Sequence, residues 1–263
     1  MKNIRSLIAA IVLGMCISAP ARSASYSADQ SDLWWIPTES GWGIQFVQRN
    51  STIFATMFVY DAAGKPTWYV ATMNASNLTW TGDLYGTKGP WFGTVPFDPK
   101  AVNATKVGTM TWVSSDVNAG TLTYTVDGTQ ITKQLQRQFI ATEDFTGHYA
   151  GNLHRVNSNC PVLSQNGTTD IPAVAVIEAA PNGIAISVAD FNLNACAYVG
   201  MLSQAGQMAS VDGSVTCFGS NGTFNITELQ VRPLGVSFRF KVDFGPGTCA
   251  LTGWFGGGRG TTF

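Results

Sequence analysis

Charge is scarce in this chain. Charged residues make up 12% of its 263 residues, against roughly 25% in a typical globular domain. The formal net charge is −1, and removing Lys2, Arg5 and Arg22 of the predicted leader leaves 12 basic and 16 acidic residues, a net charge of −4. Binding to phosphate backbones needs clustered lysines and arginines. The composition therefore predicts no nucleic-acid partner.

Motifs of common catalytic and metal sites are also missing. There is no G-x-S-x-G, S-x-x-K or H-E-x-x-H motif, no glycine-rich phosphate loop and no EF-hand calcium loop. The two histidines, His148 and His154, would share one face of a strand. With no third ligand in view, we interpret them as surface or hydrogen-bonded residues. The sequence predicts no metal, no cofactor, no catalytic residue and no enzymatic activity.

Long apolar runs are absent except near the start of the chain. Lys2 and Arg5 precede an apolar run from Leu7 to Ile17, and small residues follow it. This pattern predicts a secretory signal peptide over residues 1–24. Eleven apolar residues fall short of the about 20 that a transmembrane helix needs. We therefore expect a secreted or periplasmic protein without a membrane span.

Alternation of apolar and polar residues with a period of two dominates the rest of the chain, which predicts β-strands. About seven strands are expected in a tryptophan-rich module over residues 26–140. Pro90, Pro96 and Pro99 lie between two of them, in a segment expected to be irregular. Eight more short strands are expected over residues 145–263. The predicted fold class is all-β, with two antiparallel units built as meanders or barrels, the second an eight-stranded barrel.

Four cysteines remain after the leader, all in the second unit: Cys160, Cys196, Cys217 and Cys249. No close C-x-x-C pair indicates zinc, so two disulfides are favoured. In an eight-stranded meander all four cysteines lie at one end. Bridged Cα atoms must lie within about 7 Å, so neighbouring strands decide the pairing. We predict Cys196 with Cys217 by hairpin, and Cys160 with Cys249 across the barrel seam.

A distinctive sequence pattern opens the first unit. It reads W-W-x-P-x-E-S-G-W-G from Trp34 to Gly43, followed by F-A-T-x-F-x-Y-D-x-x-G-K-P-x-W from Phe54 to Trp68. This pattern resembles a tryptophan-rich β module that recurs in secreted proteins of Gram-negative bacteria. The resemblance covers residues 33–138, and the second half resembles companion segments only loosely. It implies export and a β fold, and it brings no catalytic residue with it.

Glu39 differs from the aspartates, most of which lie in turns. It follows Pro37 at the entry to a strand and is flanked by tryptophans. Partial burial there would raise its pKa or require a partner. A glycosidase would need a second carboxylate beside it. We interpret Glu39 as a hydrogen-bonding lock on the Ser40-Gly41 turn and include it among the ligand-binding candidates.

The tryptophans are the strongest functional indication. Trp42, Trp68, Trp80 and Trp112 fall on predicted strands and are expected in the core. Trp34, Trp35 and Trp91 fall at a strand entry and in the irregular segment, where loops on a rigid scaffold concentrate binding residues. Together with Glu39 they are the predicted ligand-binding residues; as an alternative, the three tryptophans close the end of the barrel.

Three functions are compatible with these features. The first is a secreted, non-enzymatic binding or adhesion protein that contacts a polysaccharide or cell-surface ligand through its loop tryptophans. The second is a structural or interaction subunit of an envelope or extracellular assembly, with an apolar patch or an open strand edge. The third is a hydrolase of unrecognised type that uses Glu39. The first is preferred.

Overall fold

The structure is a computed structural model that describes residues 29–181, 183–191, 194–217 and 219–260. Two closed antiparallel barrels of eight strands each occupy this part of the chain. The predicted signal peptide and its cleavage site lie outside the described residues. The all-β prediction is confirmed for both units.

The first barrel contains eight strands, one more than the sequence indicated. They are β1 (Asp32–Trp35), β2 (Gly43–Arg49), β3 (Thr52–Tyr60), β4 (Pro66–Ser76), β5 (Thr79–Lys88), β6 (Asn103–Ser114), β7 (Ala119–Val126) and β8 (Thr129–Arg137). The additional strand is β1, which pairs with β2 and also with β8 and so closes the barrel. Short 3-10 helices lie at Pro37–Glu39 and Pro99–Ala101.

Three tryptophans fill the centre of the first barrel. Trp34, Trp80 and Trp112 have no solvent exposure. The rings of Trp34 and Trp112 meet edge to face, with centroids 4.7 Å apart. Gln30 serves both indoles, since its carbonyl accepts from Trp34 Nε1 at 2.9 Å and its Oε1 accepts from Trp112 Nε1 at 3.0 Å. The buried indole N–H groups of Trp34 and Trp112 are thus satisfied, whereas the buried Trp80 Nε1 has no hydrogen-bond partner.

The second barrel is a meander that closes between its first and last strands. Its strands are β9 (Gly147–Ser158), β10 (Gly167–Ala180), β11 (Gly183–Asp190), β12 (Ala195–Ala205), β13 (Met208–Cys217), β14 (Ser220–Arg232), β15 (Gly235–Asp243) and β16 (Ala250–Arg259). Ten residue pairs, from Ala250↔Ser158 to Arg259↔Tyr149, join β16 to β9. Closure pairs the outermost strands, so the sheet leaves no open edge between them.

Both predicted disulfides are confirmed. Cys160 is bonded to Cys249, and Cys196 is bonded to Cys217. Cys160 follows β9 and Cys249 precedes β16, so the first bond spans the seam where the barrel closes. The second bond joins a directly opposed pair on β12 and β13. All four cysteines therefore lie at one end, which we call the disulfide end.

The opposite end of the second barrel contacts the segment that leads into the first. Asp32 Oδ2 accepts from Arg137 Nη1 at 3.1 Å and from the backbone N–H of Gln207 at 3.0 Å. Arg232 forms an ion pair with Asp29. These contacts join the β12–β13 and β14–β15 turns to residues 29–32. Whether each barrel folds alone, as the composition predicts, stays a prediction.

Candidate binding surface

The outer face of β3 and β4 carries exposed aromatic side chains. Ile53, Ala55 and Met57 point into the barrel, so alternation directs Phe58 and Tyr60 outward. Phe58 is 54% exposed and lies directly opposite Trp68 of β4, which is 48% exposed.

Tyr60, at the end of β3, is 58% exposed. On the other side, Phe58 is opposed by Gly43 of β2, which has no side chain. We call Phe58, Tyr60 and Trp68 the aromatic face.

Hydroxyl groups lie on the same outer surface. Thr56 lies two residues before Phe58 on β3 and therefore shares its outer face, and its partner on β4 is Val70. Thr72 of β4 is opposed to Phe54, which is 46% exposed. The surface therefore combines flat apolar rings with short donors and acceptors.

A second group of exposed aromatics lies in the loop between β5 and β6, residues 89–102, which we call the aromatic loop. Trp91 is 69% exposed, Phe92 is 88% exposed and Val95 is 92% exposed. The rings of Trp91 and Phe92 are 5.5 Å apart. A Cβ on Gly93 would lie 2.5 Å from the Trp91 ring. Glycine at this position therefore lets the indole lie over the loop backbone.

Local hydrogen bonds give the aromatic loop a defined conformation. The N–H of Thr94 donates to the carbonyl of Trp91 at 2.9 Å. The Asp98 carboxylate accepts from the N–H of Lys100 at 2.9 Å and caps the 3-10 helix that follows. Pro90, Pro96 and Pro99 lie here as expected, although the irregular segment is shorter than predicted, because β5 extends to Lys88 and β6 begins at Asn103.

The aromatic face and the aromatic loop lie at the same end of the first barrel. β3 ends at Tyr60 and β5 ends at Lys88, and both strands run towards that end. The other end contacts the second barrel through residues 29–32. Exposed apolar side chains of this kind commonly mark interaction sites.

Trp34 does not belong to this surface, and its expected position at a solvent-facing strand entry is corrected. It lies within β1 and is buried completely. The Arg137 guanidinium lies 4.6 Å from the centre of its ring. Trp35, the next residue, points to the outer side and is partly buried. The segment forms a strand because the Trp34-Trp35 backbone pairs with β8.

Two core predictions for tryptophans are also corrected. Trp68 lies on the outside, since Ala71 and Met73 set the inward face of β4. Trp42 is only partly buried and packs against the edge of the core. The expectation that Trp80 and Trp112 lie in the core is confirmed. The odd-numbered spacing of Trp68 from Ala71 and Met73 indicates that it lies on the opposite face of the strand from them, although this spacing alone does not indicate which face is inside.

Glu39 forms an ion pair with Lys133 at one end of the first barrel. Its carboxylate accepts from Lys133 Nζ at 2.8 and 2.7 Å and from Trp42 Nε1 at 3.1 Å. Lys133 belongs to β8, which pairs with β1, so the contact joins the 3-10 helix that follows β1 to the strand beside it. The hydrogen bond from Lys133 lowers the pKa of Glu39. The sequence predicted either a raised pKa or a bonded partner for Glu39, and the structure shows the partner. The lock is made with Trp42 and Lys133.

The outer face of the second barrel carries a mixed row of side chains. His154 stacks on Trp254, with ring centroids 5.5 Å apart, and its Nδ1 lies 2.6 Å from Asp170 Oδ1. Trp254 is 40% exposed. His148 and His154 share the outer face as alternation predicts, and His154 is hydrogen-bonded. Among the described residues, no group of three or more His, Cys, Asp or Glu side chains is placed to hold a metal ion.

Comparisons with known proteins add little. No protein-family model matches the chain, and no curated protein matches it either. A crystal structure from Bacteroides fragilis, described as that of a candidate outer membrane protein, is 15% identical with a TM-score of 0.33, over 79% of this chain and 89% of that chain. A TM-score of this size is too low to bear on the fold or function of this protein.

The described residues contain no helix that is long and apolar enough to cross a membrane. The architecture itself defines the class: this is an all-β protein of two closed eight-stranded barrels, the second with two disulfides. Disulfides of this kind are compatible with an extracytoplasmic location.

Proposed function

We propose that the protein is an exported, non-enzymatic binding or adhesion protein that binds a polysaccharide at the end of its first barrel where the aromatic face and the aromatic loop lie. The observation that carries this proposal is the exposed, directly opposed pair of Phe58 and Trp68. The core of that barrel is already filled by Trp34, Trp80 and Trp112. The exposed rings are therefore in excess of what the fold needs.

The chemistry of the surface favours a sugar. Aromatic rings offer a flat apolar face, on which the C–H face of a pyranose ring can stack, while neighbouring hydroxyls serve as hydrogen-bond partners. Phe58 and Trp68 supply the rings, Thr56 supplies a hydroxyl two residues from Phe58, and Thr72 supplies another farther along the same outer surface, opposite Phe54. The low charge of the chain is compatible with a neutral or weakly charged ligand.

The environment of Glu39 supports the non-enzymatic part of the proposal. A general acid in a glycosidase needs a raised pKa and a second carboxylate nearby. Glu39 instead has a lowered pKa and binds Lys133 and Trp42. Its contacts are those of a structural fastening, and the hydrolase alternative receives no support from them.

The test is a titration of intrinsic tryptophan emission with soluble neutral polysaccharides: a β-glucan, a xylan and a dextran. The proposal predicts that at least one quenches the emission. Trp68→Ala and Trp91→Ala should each weaken binding by at least about fivefold, corresponding to the loss of about 1 kcal/mol expected for an interface anchor. Their stability should stay within about 1 kcal/mol of the parent protein, because both side chains are exposed.

Trp254→Ala is the matched control, since Trp254 is an exposed tryptophan of the other barrel. It should bind like the parent protein. Equal affinity of Trp68→Ala, Trp91→Ala and the parent protein for every polysaccharide that binds would refute the proposal, as would the absence of binding by all three polysaccharides.

A second candidate function, an interaction subunit of an envelope or extracellular assembly, is favoured by the aromatic loop. Phe92 and Val95 are the most exposed apolar side chains in it, and a valine offers no ring for a sugar. If the loop docks on an apolar protein surface, Phe92→Ser and Val95→Ser should abolish self-association or partner binding in sedimentation experiments. Polysaccharide binding through Trp68 would then be unchanged.

A further inference from the structure

The aromatic loop projects beyond the rim of the first barrel. β6 pairs with β5 from Asn103 onwards, but it pairs with β7 only farther along. The β7–β8 turn contacts β6 at Val107, whose carbonyl accepts from the N–H of Asp127 at 3.0 Å. Residues 103–106 extend past that contact by about 13 Å, at about 3.3 Å per residue of strand. They carry the loop with them, and every residue from 91 to 106 is exposed.

Apolar side chains are concentrated at the tip of this projection. Phe92 and Val95 are almost fully exposed, and Trp91 and Phe97 beside them are exposed as well. None of the four belongs to the core of the first barrel. The turn from Trp91 to Thr94 and the Asp98 cap fix the loop backbone, so these side chains are held away from the barrel. An exposed apolar tip of this kind indicates an apolar environment outside the chain.

Lysines lie directly behind the apolar tip, one on each side. Lys88 is the last residue of β5, and Lys100 lies in the 3-10 helix that precedes β6. Both are exposed. The carboxylate of the loop, Asp98, accepts from the backbone N–H of Lys100. From the tip towards the barrel the order is therefore apolar side chains first and ammonium groups second, which matches a lipid layer with its acyl chains beneath its phosphates.

The other charges at this end of the barrel are balanced. Glu39 pairs with Lys133, and Asp83 pairs with Lys106. In the β3–β4 turn the Asp61 carboxylate accepts from the backbone N–H of Lys65 at 2.9 Å. The remaining carboxylate, Asp127, lies in the β7–β8 turn, behind the projecting ribbon. The charge nearest to the tip is consequently set by the two lysines of the loop.

We propose that the aromatic loop inserts into the surface of a phospholipid bilayer. Phe92 and Val95 enter the acyl chains, while the Trp91 indole takes the interfacial position that an apolar ring with one N–H favours. Lys88 and Lys100 reach the phosphates, with their apolar stems along the lipid. This is peripheral attachment by one loop and needs no spanning segment.

A lipid layer suits the tip better than the apolar protein surface considered above. Fluid acyl chains accept rings and a valine of different sizes without a shaped pocket, and the phosphates complement both lysines. The inference does not rest on the polysaccharide proposal, because Phe92 and Val95 are not needed to stack on a sugar.

The experiment is sedimentation of the mature chain with lipid vesicles. Residues 1–24 must be absent, because the apolar run of the predicted leader would itself bind lipid. One set of vesicles contains phosphatidylcholine alone, and the other contains phosphatidylcholine with phosphatidylglycerol. The protein should bind both, and the anionic vesicles at least about fivefold more tightly, as one or more lysines at the surface imply. Brominated acyl chains should quench the emission of the parent protein more than that of Trp91→Phe.

Variants place the contact on the aromatic loop. Phe92→Ser and Val95→Ser should each weaken vesicle binding by at least about fivefold, because each removes an apolar side chain that lipid would bury. Lys88→Gln and Lys100→Gln should each lower the affinity for anionic vesicles by about fivefold and leave the affinity for neutral vesicles unchanged. Leu234→Ser is the matched control, since Leu234 is 86% exposed in the β14–β15 turn of the other barrel; it should bind like the parent protein.

The proposal is overturned if the mature chain binds neither kind of vesicle. It is also overturned if Phe92→Ser and Val95→Ser bind vesicles as the parent protein does, or if Leu234→Ser loses as much affinity as they do. Equal binding to neutral and anionic vesicles would contradict the role of the lysines. Self-association without vesicle binding, abolished by Phe92→Ser, would assign the loop to a protein surface and overturn the lipid proposal.

Discussion

The buried ion pair between Asp32 and Arg137 should be the most sensitive polar contact of the first barrel. Their side chains are 8% and 0% exposed, respectively. Arg137 also donates from Nε to the carbonyl of Val117 at 2.8 Å and lies over the Trp34 ring. Burial lowers the pKa of Arg137, and Asp32 opposes this shift. Asp32 thus compensates a cation that the core would otherwise disfavour.

Removing Asp32 should leave that cation without its carboxylate. Loss of one partner of a buried pair typically destabilises a protein by about 3–5 kcal/mol, and we expect this range for Asp32→Ala. The N–H of Gln207 loses its acceptor in the same variant. The measurement is urea unfolding followed by tryptophan emission, which reports on the first barrel because seven of the eight tryptophans belong to it.

Asp83→Ala is the matched control. Asp83 pairs with Lys106 at 2.7 Å, but the two side chains are 43% and 54% exposed. An exposed pair contributes at most about 1 kcal/mol, so the unfolding midpoint should barely move. Equal destabilisation by Asp32→Ala and Asp83→Ala would refute the reasoning, because burial would then have no influence on the effect.

Three further predictions concern other contacts. Lys133→Met should raise the pKa of Glu39 towards its ordinary value in carboxyl NMR titrations, and an unchanged pKa would contradict the assignment. In the parent protein, because the pKa of folded Glu39 is lowered, the stability that the Lys133 contact provides should be lost only as the pH falls through that lowered pKa. The Cys160→Ser, Cys249→Ser double variant should lose about 3–5 kcal/mol in denaturant unfolding, since the bond spans a sequence separation of 89; unchanged stability would show that the seam needs no cross-link. Gly206 has a φ of +59°, and a Cβ there would lie 2.2 Å from Asp32 Oδ2, so Gly206→Ala should destabilise the protein by about 1–3 kcal/mol. In the Asp32→Ala background the loss should be smaller, which a double-mutant cycle measures, and purely additive effects would contradict the contact.

The disulfides could be predicted from the sequence because a meander leaves few choices. Once eight strands alternate in direction, the four cysteines share one end, and only neighbouring strands bring their Cα atoms close enough. The closure of β9 on β16 followed from the same reasoning. Here topology alone decided the result.

The positions of the tryptophans were harder to predict. Alternation indicates which residues share a face, but it does not indicate which face is inside. On β4 the inward positions hold Ala71 and Met73, because Trp34 and Trp112 already occupy the interior, and Trp68 is left outside. The competition for interior volume involves strands distant in sequence, which a local pattern does not report.

The most direct test of the polysaccharide proposal is an NMR titration that observes all eight indole N–H groups at once. Saturation with the polysaccharide that quenches emission should shift the indole signals of Trp68 and Trp91. The buried Trp34, Trp80 and Trp112 should keep their positions. Shifts confined to Trp254, or equal shifts of buried and exposed indoles, would contradict a binding surface formed by the aromatic face and the aromatic loop of the first barrel.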